Sequence, residues 1–164
     1  KCGFLRRLIM DSKDVAKELT KGMPRHKEHG QYQMCLGSLI KALQRERVGL
    51  PIMLSSVYQG YEPKYPGLPH SYFGYPADLA FVPSTTPITV AKFLAVCETA
   101  IKASFVGPDH AEGYYRDYIM KANTTVWISE LDKASKLGIT DVVPVDGYIK
   151  LVTETIEEDD DVPG

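Results

Sequence analysis

The 164-residue chain has only three cysteines, Cys2, Cys35 and Cys97, which are odd in number and far apart. This pattern argues against a disulfide framework and against a cysteine zinc cluster. No stretch approaches the roughly 18 apolar residues that a membrane-spanning helix needs. The apolar part of the first segment is too short, and too soon followed by Asp11, for a secretory signal. The sequence therefore predicts a soluble protein that has no membrane partner.

Motifs of several common enzyme classes are also missing. The chain has no glycine-rich phosphate loop, and Ser55-Ser56 lacks the Gly-x-Ser-x-Gly turn that exposes a serine nucleophile. His26 and His29 have the spacing of metal ligands on a helix. They lie between Pro24 and Gly30, however, which disfavour a helix there.

Charge is unevenly distributed along the chain. Residues 1–50 carry eleven Lys or Arg and five Asp or Glu, whereas residues 51–164 carry eight and sixteen. The basic part could contact nucleic acid or an acidic protein surface. Its basic residues are interspersed with acidic ones, which is more typical of a solvated helix surface.

These differences divide the chain into three parts: a basic N-terminal arm or helix at 1–31, one globular domain at 32–155, and an acidic tail at 156–164. Like charges in the tail repel one another and lack apolar anchors, so we expect the tail to be mobile. The charges concerned are Glu157, Glu158, Asp159, Asp160 and Asp161.

Hydrophobic periodicity predicts an α+β domain. Residues 32–47 form the clearest helix, because apolar residues recur at three- and four-residue spacing. A second helix is predicted at Ile88–Phe105, with Cys97 as a buried thiol on its apolar face. Loops are predicted at 59–71 and 106–113, and partial helix at 114–137. The predicted strands are 52–58, 75–82, 142–145 and 148–155, which suggest a small, mainly antiparallel sheet packed with helices.

Three segments resemble one family in order and spacing. The helix Leu36–Val48 followed by GLPIMLSSVYQG, then PGLPHSYFGYPADLAF, and finally VVPVDGYI, are similar to segments of zinc D-alanyl-D-alanine carboxypeptidases and phage endolysin peptidases. The resemblance covers about residues 32–150. It implies the hedgehog-like fold of those enzymes and a substrate groove around the second segment.

The resemblance also implies a catalytic zinc, which needs three protein ligands and an open position for water. Asp78 matches the carboxylate ligand of the family. Ser71 stands at the position of the first histidine ligand, and Pro144 at that of the second. Gln59, after Tyr58, stands at the position of the arginine that binds the substrate carboxylate in this family. An amide cannot make that charged bidentate contact. These substitutions predict a domain without catalytic residues, metal or cofactor.

The first hypothesis is therefore a pseudoenzyme that acts as a structural or interaction module. Its expected partners are other protein subunits of an assembly. The phage relatives suggest a virion protein (minor capsid, decoration or tail), and the cytoplasm is the other expected location. Tyrosines are concentrated in the central loop, where they could form a contact surface or pack the loop itself. They are Tyr58, Tyr61, Tyr65, Tyr72 and Tyr75.

Two alternatives remain open. The first is a zinc-dependent peptidoglycan peptidase with a rearranged site, in which His70, Asp78 and His110 hold the metal and Glu112 or Asp109 is the base. Asp78 would otherwise only cap or hydrogen-bond a turn, His70 would be a loop residue beside Pro69, and His110 would lie on the surface. The second alternative is a cell-wall-binding module that kept the groove and lost the cleavage chemistry.

Overall fold

The computed structural model describes residues 27–28, 31–55, 65–129 and 136–156. Several sequence predictions lie outside the described residues: most of the N-terminal arm, His26 and His29, Tyr58 and Gln59, and the acidic residues of the tail. Ile156, the residue before those acidic residues, is buried. In the described ranges, no helix is long and apolar enough to span a membrane.

Strands dominate the described part of the chain. They account for 48% of it and helices for 18%. The helices are α1 (Leu36–Gln44) and α2 (Val90–Ala100). The strands are β1 (Lys27–Glu28), β2 (Gln31–Tyr32), β3 (Ile52–Leu54), β4 (Tyr65–Ser71), β5 (Leu79–Ser84), β6 (Ser104–Asp109), β7 (Tyr114–Ile119), β8 (Val126–Ile128), β9 (Leu137–Val145) and β10 (Tyr148–Thr155).

Six strands form one mixed sheet in the order β3-β10-β9-β8-β5-β4. The pairs β3–β10 and β5–β8 are parallel, and the other three pairs are antiparallel. The two outermost strands, β3 and β4, approach each other, so the sheet nearly closes into a barrel. The predicted fold class, a small antiparallel sheet packed with helices, is therefore wrong.

The main core fills the inner face of this sheet. Inward residues of β5, β8 and β10 meet the apolar faces of both helices there. The predicted helix faces are largely confirmed, because Leu36, Leu39 and Leu43 of α1 are fully buried, as is Cys97 of α2. Burial, with a smaller contribution from the neighbouring Glu98, raises the pKa of the Cys97 thiol. Cys97 is therefore a packing residue, as predicted.

Strands β6 and β7 form a separate two-stranded ribbon that lies against the barrel. Phe105 and Tyr118, which are cross-strand partners, face inward and pack on the main core. At Gly107 the ribbon lies so close to the end of β4 that an added Cβ atom would be 2.9 Å from Ser71 Cβ and 3.3 Å from Pro76 Cβ. Glycine is thus required where the ribbon crosses the end of β4.

The substitution Gly107→Ala tests this docking. The added methyl group should push the ribbon off β4 and lower the free energy of unfolding by about 1–3 kcal/mol, the usual cost of overpacking. Chemical denaturation measures the change. Gly49→Ala is the matched control, because nothing lies within 4 Å of a Cβ at that position. An equal effect of both substitutions would contradict the docking.

Candidate functional site

The outer face of the sheet carries His70, one of the candidate metal ligands, within a row of cross-strand partners. His70 of β4 pairs with Ala80 of β5, Ala80 pairs with Trp127 of β8, and Trp127 pairs with Gly138 of β9. Cross-strand partners point to the same face of a sheet. The row is on the side opposite the main core, where Trp127 belongs to a second, smaller cluster of buried residues.

The Asp78 carboxylate is hydrogen-bonded to Trp127 of this second cluster. It is buried, and its Oδ2 accepts a hydrogen bond of 2.9 Å from Trp127 Nε1–H. The indole stacks on Tyr72, with ring centroids 4.4 Å apart and planes 9° apart, and Tyr75 lies 5.8 Å from it. A buried carboxylate needs such partners, because leaving it without hydrogen bonds is costly. Tyr72 and Tyr75 therefore pack the loop between β4 and β5, and Asp78 anchors that loop.

Ser71, at the position of an expected histidine ligand, has a structural contact. Its side chain is buried, and the hydroxyl donates to the Pro76 carbonyl oxygen at 2.6 Å. The bond joins the end of β4 to the following loop, directly beneath Gly107 of the ribbon. Ser71 holds this junction together.

Both ring nitrogens of His70 make hydrogen bonds. Nδ1 lies 2.7 Å from the Ser71 carbonyl oxygen, and Nε2 contacts Ser129 Oγ. A carbonyl oxygen only accepts, so Nδ1 carries the proton. In the neutral ring Nε2 is then the acceptor and the Ser129 hydroxyl is the donor. No sequence motif marks Ser129, which directly follows the buried strand β8.

His110, Asp109 and Glu112 lie at the turn of the ribbon, between β6 and β7. The Asp109 carboxylate accepts hydrogen bonds of 3.0 Å from the backbone N–H groups of Ala111 and Glu112, and Arg116 lies 3.4 Å away. The Glu112 backbone contact is the main cause of the lowered pKa of Asp109. His110 Nε2 contacts the Phe73 carbonyl oxygen at 3.2 Å. These residues shape the turn.

The three proposed alternative metal ligands are thus each engaged in other contacts. Among residues 27–28, 31–55, 65–129 and 136–156, no group of three His, Cys, Asp or Glu side chains could hold a metal ion. Pro144 is on β9, six residues beyond Gly138 and so roughly 20 Å along the strand. The structure brings His70, Ser71 and Asp78 to one region and leaves Pro144 outside it, while His110 contacts the Phe73 carbonyl of the loop between β4 and β5.

Among the described residues, four of the eight large apolar side chains that are exposed lie on the ribbon. Five of the six residues of β7 are exposed, and Tyr118, which faces the core, is half-buried. Tyr115 is 68% exposed and Ile119 60%, while Val106 of β6 is 66% exposed. Strand alternation places these three side chains on the outer face of the ribbon. In the described part of the chain, β7 pairs only with β6, so its other edge has backbone groups that no strand uses.

Comparisons with known proteins identify no relative. A scan against protein-family models, a search of curated proteins and a search of solved structures each found no match.

Proposed function

We propose that the protein is an interaction module that binds an extended segment of a partner protein along the outer edge of β7. The segment would add a third strand to the ribbon and join this chain to another subunit of an assembly. The observation that carries this proposal is the exposure of β7 along almost its whole length. Strand addition is a common way to recognise extended peptides, because main-chain hydrogen bonds supply the affinity.

The other edges of the fold support the choice of β7. Natural proteins protect edge strands by making them short or by placing proline or charge on them. Edge strand β3 has only three residues, and edge strand β4 contains two prolines, Pro66 and Pro69. Strand β7 has six residues and no proline. Among the described edge strands β7 is the longest without proline, and its two charged residues, Arg116 and Asp117, are of opposite sign.

The side chains of the ribbon suggest how the partner would be selected. A strand added to β7 would lie beside the tyrosine and isoleucine side chains of the outer face. Aromatic residues are enriched in protein interfaces because they bury a large area at a small entropic cost. In the middle of β7, Arg116 contacts Asp109 across the ribbon, and its guanidinium carbon lies 5.2 Å from the Tyr118 ring centroid. These two contacts hold the Arg116 side chain in one orientation, whereas the neighbouring Asp117 is exposed. We expect a partner segment with apolar residues at alternate positions.

The contacts of the candidate metal ligands favour this binding role over zinc peptidase chemistry. The imidazole of His70 and the carboxylate of Asp78 are both occupied by neighbouring groups of the protein. The virion setting stays a proposal that rests only on the resemblance to phage peptidases. Nothing in the described residues favours a cell-wall-binding groove over a protein-binding edge.

A displayed library of random extended peptides is the direct test. Selected peptides should bind the wild-type protein with micromolar dissociation constants, typical of a small interface. The double substitution Tyr115→Lys and Ile119→Lys should abolish binding, because exposed lysines block an edge strand. Calorimetry measures both affinities.

Two controls make the result specific. Leu68→Lys changes another exposed apolar residue, 76% accessible and outside the ribbon, and should leave the affinity unchanged. A selected peptide methylated at alternate backbone nitrogens should lose its affinity, since it can no longer donate to β7. Peptides that bind the double variant as well as the wild type would refute the proposal.

A further inference from the structure

We infer that Ser129 is a nucleophile activated by His70, and that the pair transfers acyl groups from small esters. This inference is independent of the β7 edge and goes beyond the binding role. The Ser71 carbonyl fixes the proton on Nδ1 of His70, which leaves the unprotonated Nε2 in contact with Ser129 Oγ. Nucleophile, base and an acceptor that orients the base form the arrangement that catalytic serines use.

The backbone holds both side chains in place. His70 is in strand β4, paired with Ala80, and Ser129 follows β8 directly. The Ser129 N–H donates to the Phe81 carbonyl oxygen at 2.9 Å, which continues the pairing of β8 with β5 by one residue. A site on paired strands keeps its geometry better than one on a loop. Both side chains are only partly buried, so a substrate can reach them.

The surroundings suggest the size and polarity of the substrate. Val82 of β5 is 41% exposed and follows Phe81, the residue that binds the Ser129 backbone. Strand alternation and exposure place Val82 and Leu68 on the outer face with His70. An apolar surface beside a hydroxyl and an imidazole suits a short acyl chain and excludes an ionised one. We therefore expect uncharged esters with short acyl groups as substrates.

The reaction proceeds in two balanced steps. Ser129 Oγ attacks the ester carbonyl carbon while its proton moves to His70 Nε2. The bond to the alcohol oxygen then breaks, and the departing alcohol takes that proton, which leaves an acyl ester on Ser129. In the second step water gives a proton to Nε2 and attacks the acyl carbon. The acid is released, and Ser129 regains its proton from His70.

Labelling of the whole chain with a fluorophosphonate probe tests the inference. Ser129 Oγ should displace fluoride from phosphorus, and peptide mass mapping should place the phosphonate on Ser129. Ser104→Ala, an exposed serine on the ribbon, is the control and should be labelled at Ser129 at the wild-type rate. Ser129→Ala should remove both the label and the release of nitrophenolate from p-nitrophenyl acetate.

His70→Ala separates a chemical role of the imidazole from a structural one. Loss of a general base should slow labelling of Ser129 by about 100-fold or more. Free imidazole added to this variant should restore part of the rate, because the histidine is partly exposed; a merely structural contact would give no such rescue. Failure of the wild-type protein to label at Ser129, or an unchanged rate in His70→Ala, would overturn the inference.

Discussion

Replacing Trp127 with alanine should lower the free energy of unfolding by about 4 kcal/mol, near the upper range for a large buried side chain. The indole is fully buried, stacks on Tyr72 and donates a hydrogen bond to the buried Asp78 carboxylate. The substitution removes the apolar contacts, opens a cavity and takes one donor from Asp78. Guanidinium denaturation followed by circular dichroism measures the loss.

Two further variants separate the contributions of the indole. Trp127→Phe keeps an aromatic ring against Tyr72 but removes the hydrogen bond, so it should cost about half as much. Tyr115→Ala truncates an exposed aromatic residue on the ribbon and should change stability by less than about 0.5 kcal/mol. A cost below about 1 kcal/mol for Trp127→Ala would mean that the second cluster does not stabilise the sheet.

Gly138→Ala should destabilise the protein by about 2–3 kcal/mol, through overpacking and a disturbed buried hydrogen bond. The sign is informative, because alanine normally stabilises a strand relative to glycine. A Cβ on Gly138 would lie 2.6 Å from Gln33 Cδ and 2.7 Å from Ile156 Cγ1. Gln33 is fully buried, and its Nε2 donates to the Val126 carbonyl oxygen at 2.8 Å. The side chain cannot move without breaking that bond.

A double-mutant cycle with Gln33→Ala tests this cause. Shortening Gln33 gives the new methyl group room, so the double variant should be more stable than the sum of the two single effects predicts. Thermal unfolding of the wild type, the two single variants and the double variant measures the four stabilities. Strict additivity would show that the methyl group does not meet Gln33.

The elements with strong helical periodicity were predictable from the sequence. The α1 pattern of Leu36, Leu39 and Leu43 repeats at helical spacing, and these residues fill the core as expected. Strand β10 and the second half of β9 were also predicted, and Gly147, with φ of +90°, lies in the two-residue turn between them. Helical periodicity and turn residues depend only on nearby residues in the chain, so structure predicted from them is found in the folded protein.

Strands β3 and β5 overlap the predicted strands 52–58 and 75–82, whereas β4, β6, β7 and β8 were missed for identifiable reasons. Residues 65–71 contain two prolines and were predicted to be a loop, yet an edge strand tolerates proline because one side needs no partner. Residues 114–137 were predicted to be partly helical. They contain YYRDYI and VWI, and aromatic and β-branched residues favour strands. The strand propensity of these residues makes β7 and β8 predictable from the sequence. The order of the strands in the sheet is not predictable in this way.

The candidate site was predicted only in part. Residues His70, Ser71 and Asp78 were singled out by their place in a motif, and the structure brings them into one region with different contacts from those expected. The partner of His70 is 59 residues away in the chain. Such a pairing depends on how β4, β5 and β8 assemble, which no local pattern encodes.

Hydrogen exchange of the protein with a selected peptide tests the central claim, that β7 accepts a strand. In the free protein the amides of β7 that point away from β6 should exchange rapidly, because no strand bonds them in the described structure. Bound peptide should slow exchange at alternate residues of β7 and leave the edges β3 and β4 unchanged. Protection on β3 or β4, with none on β7, would contradict the account.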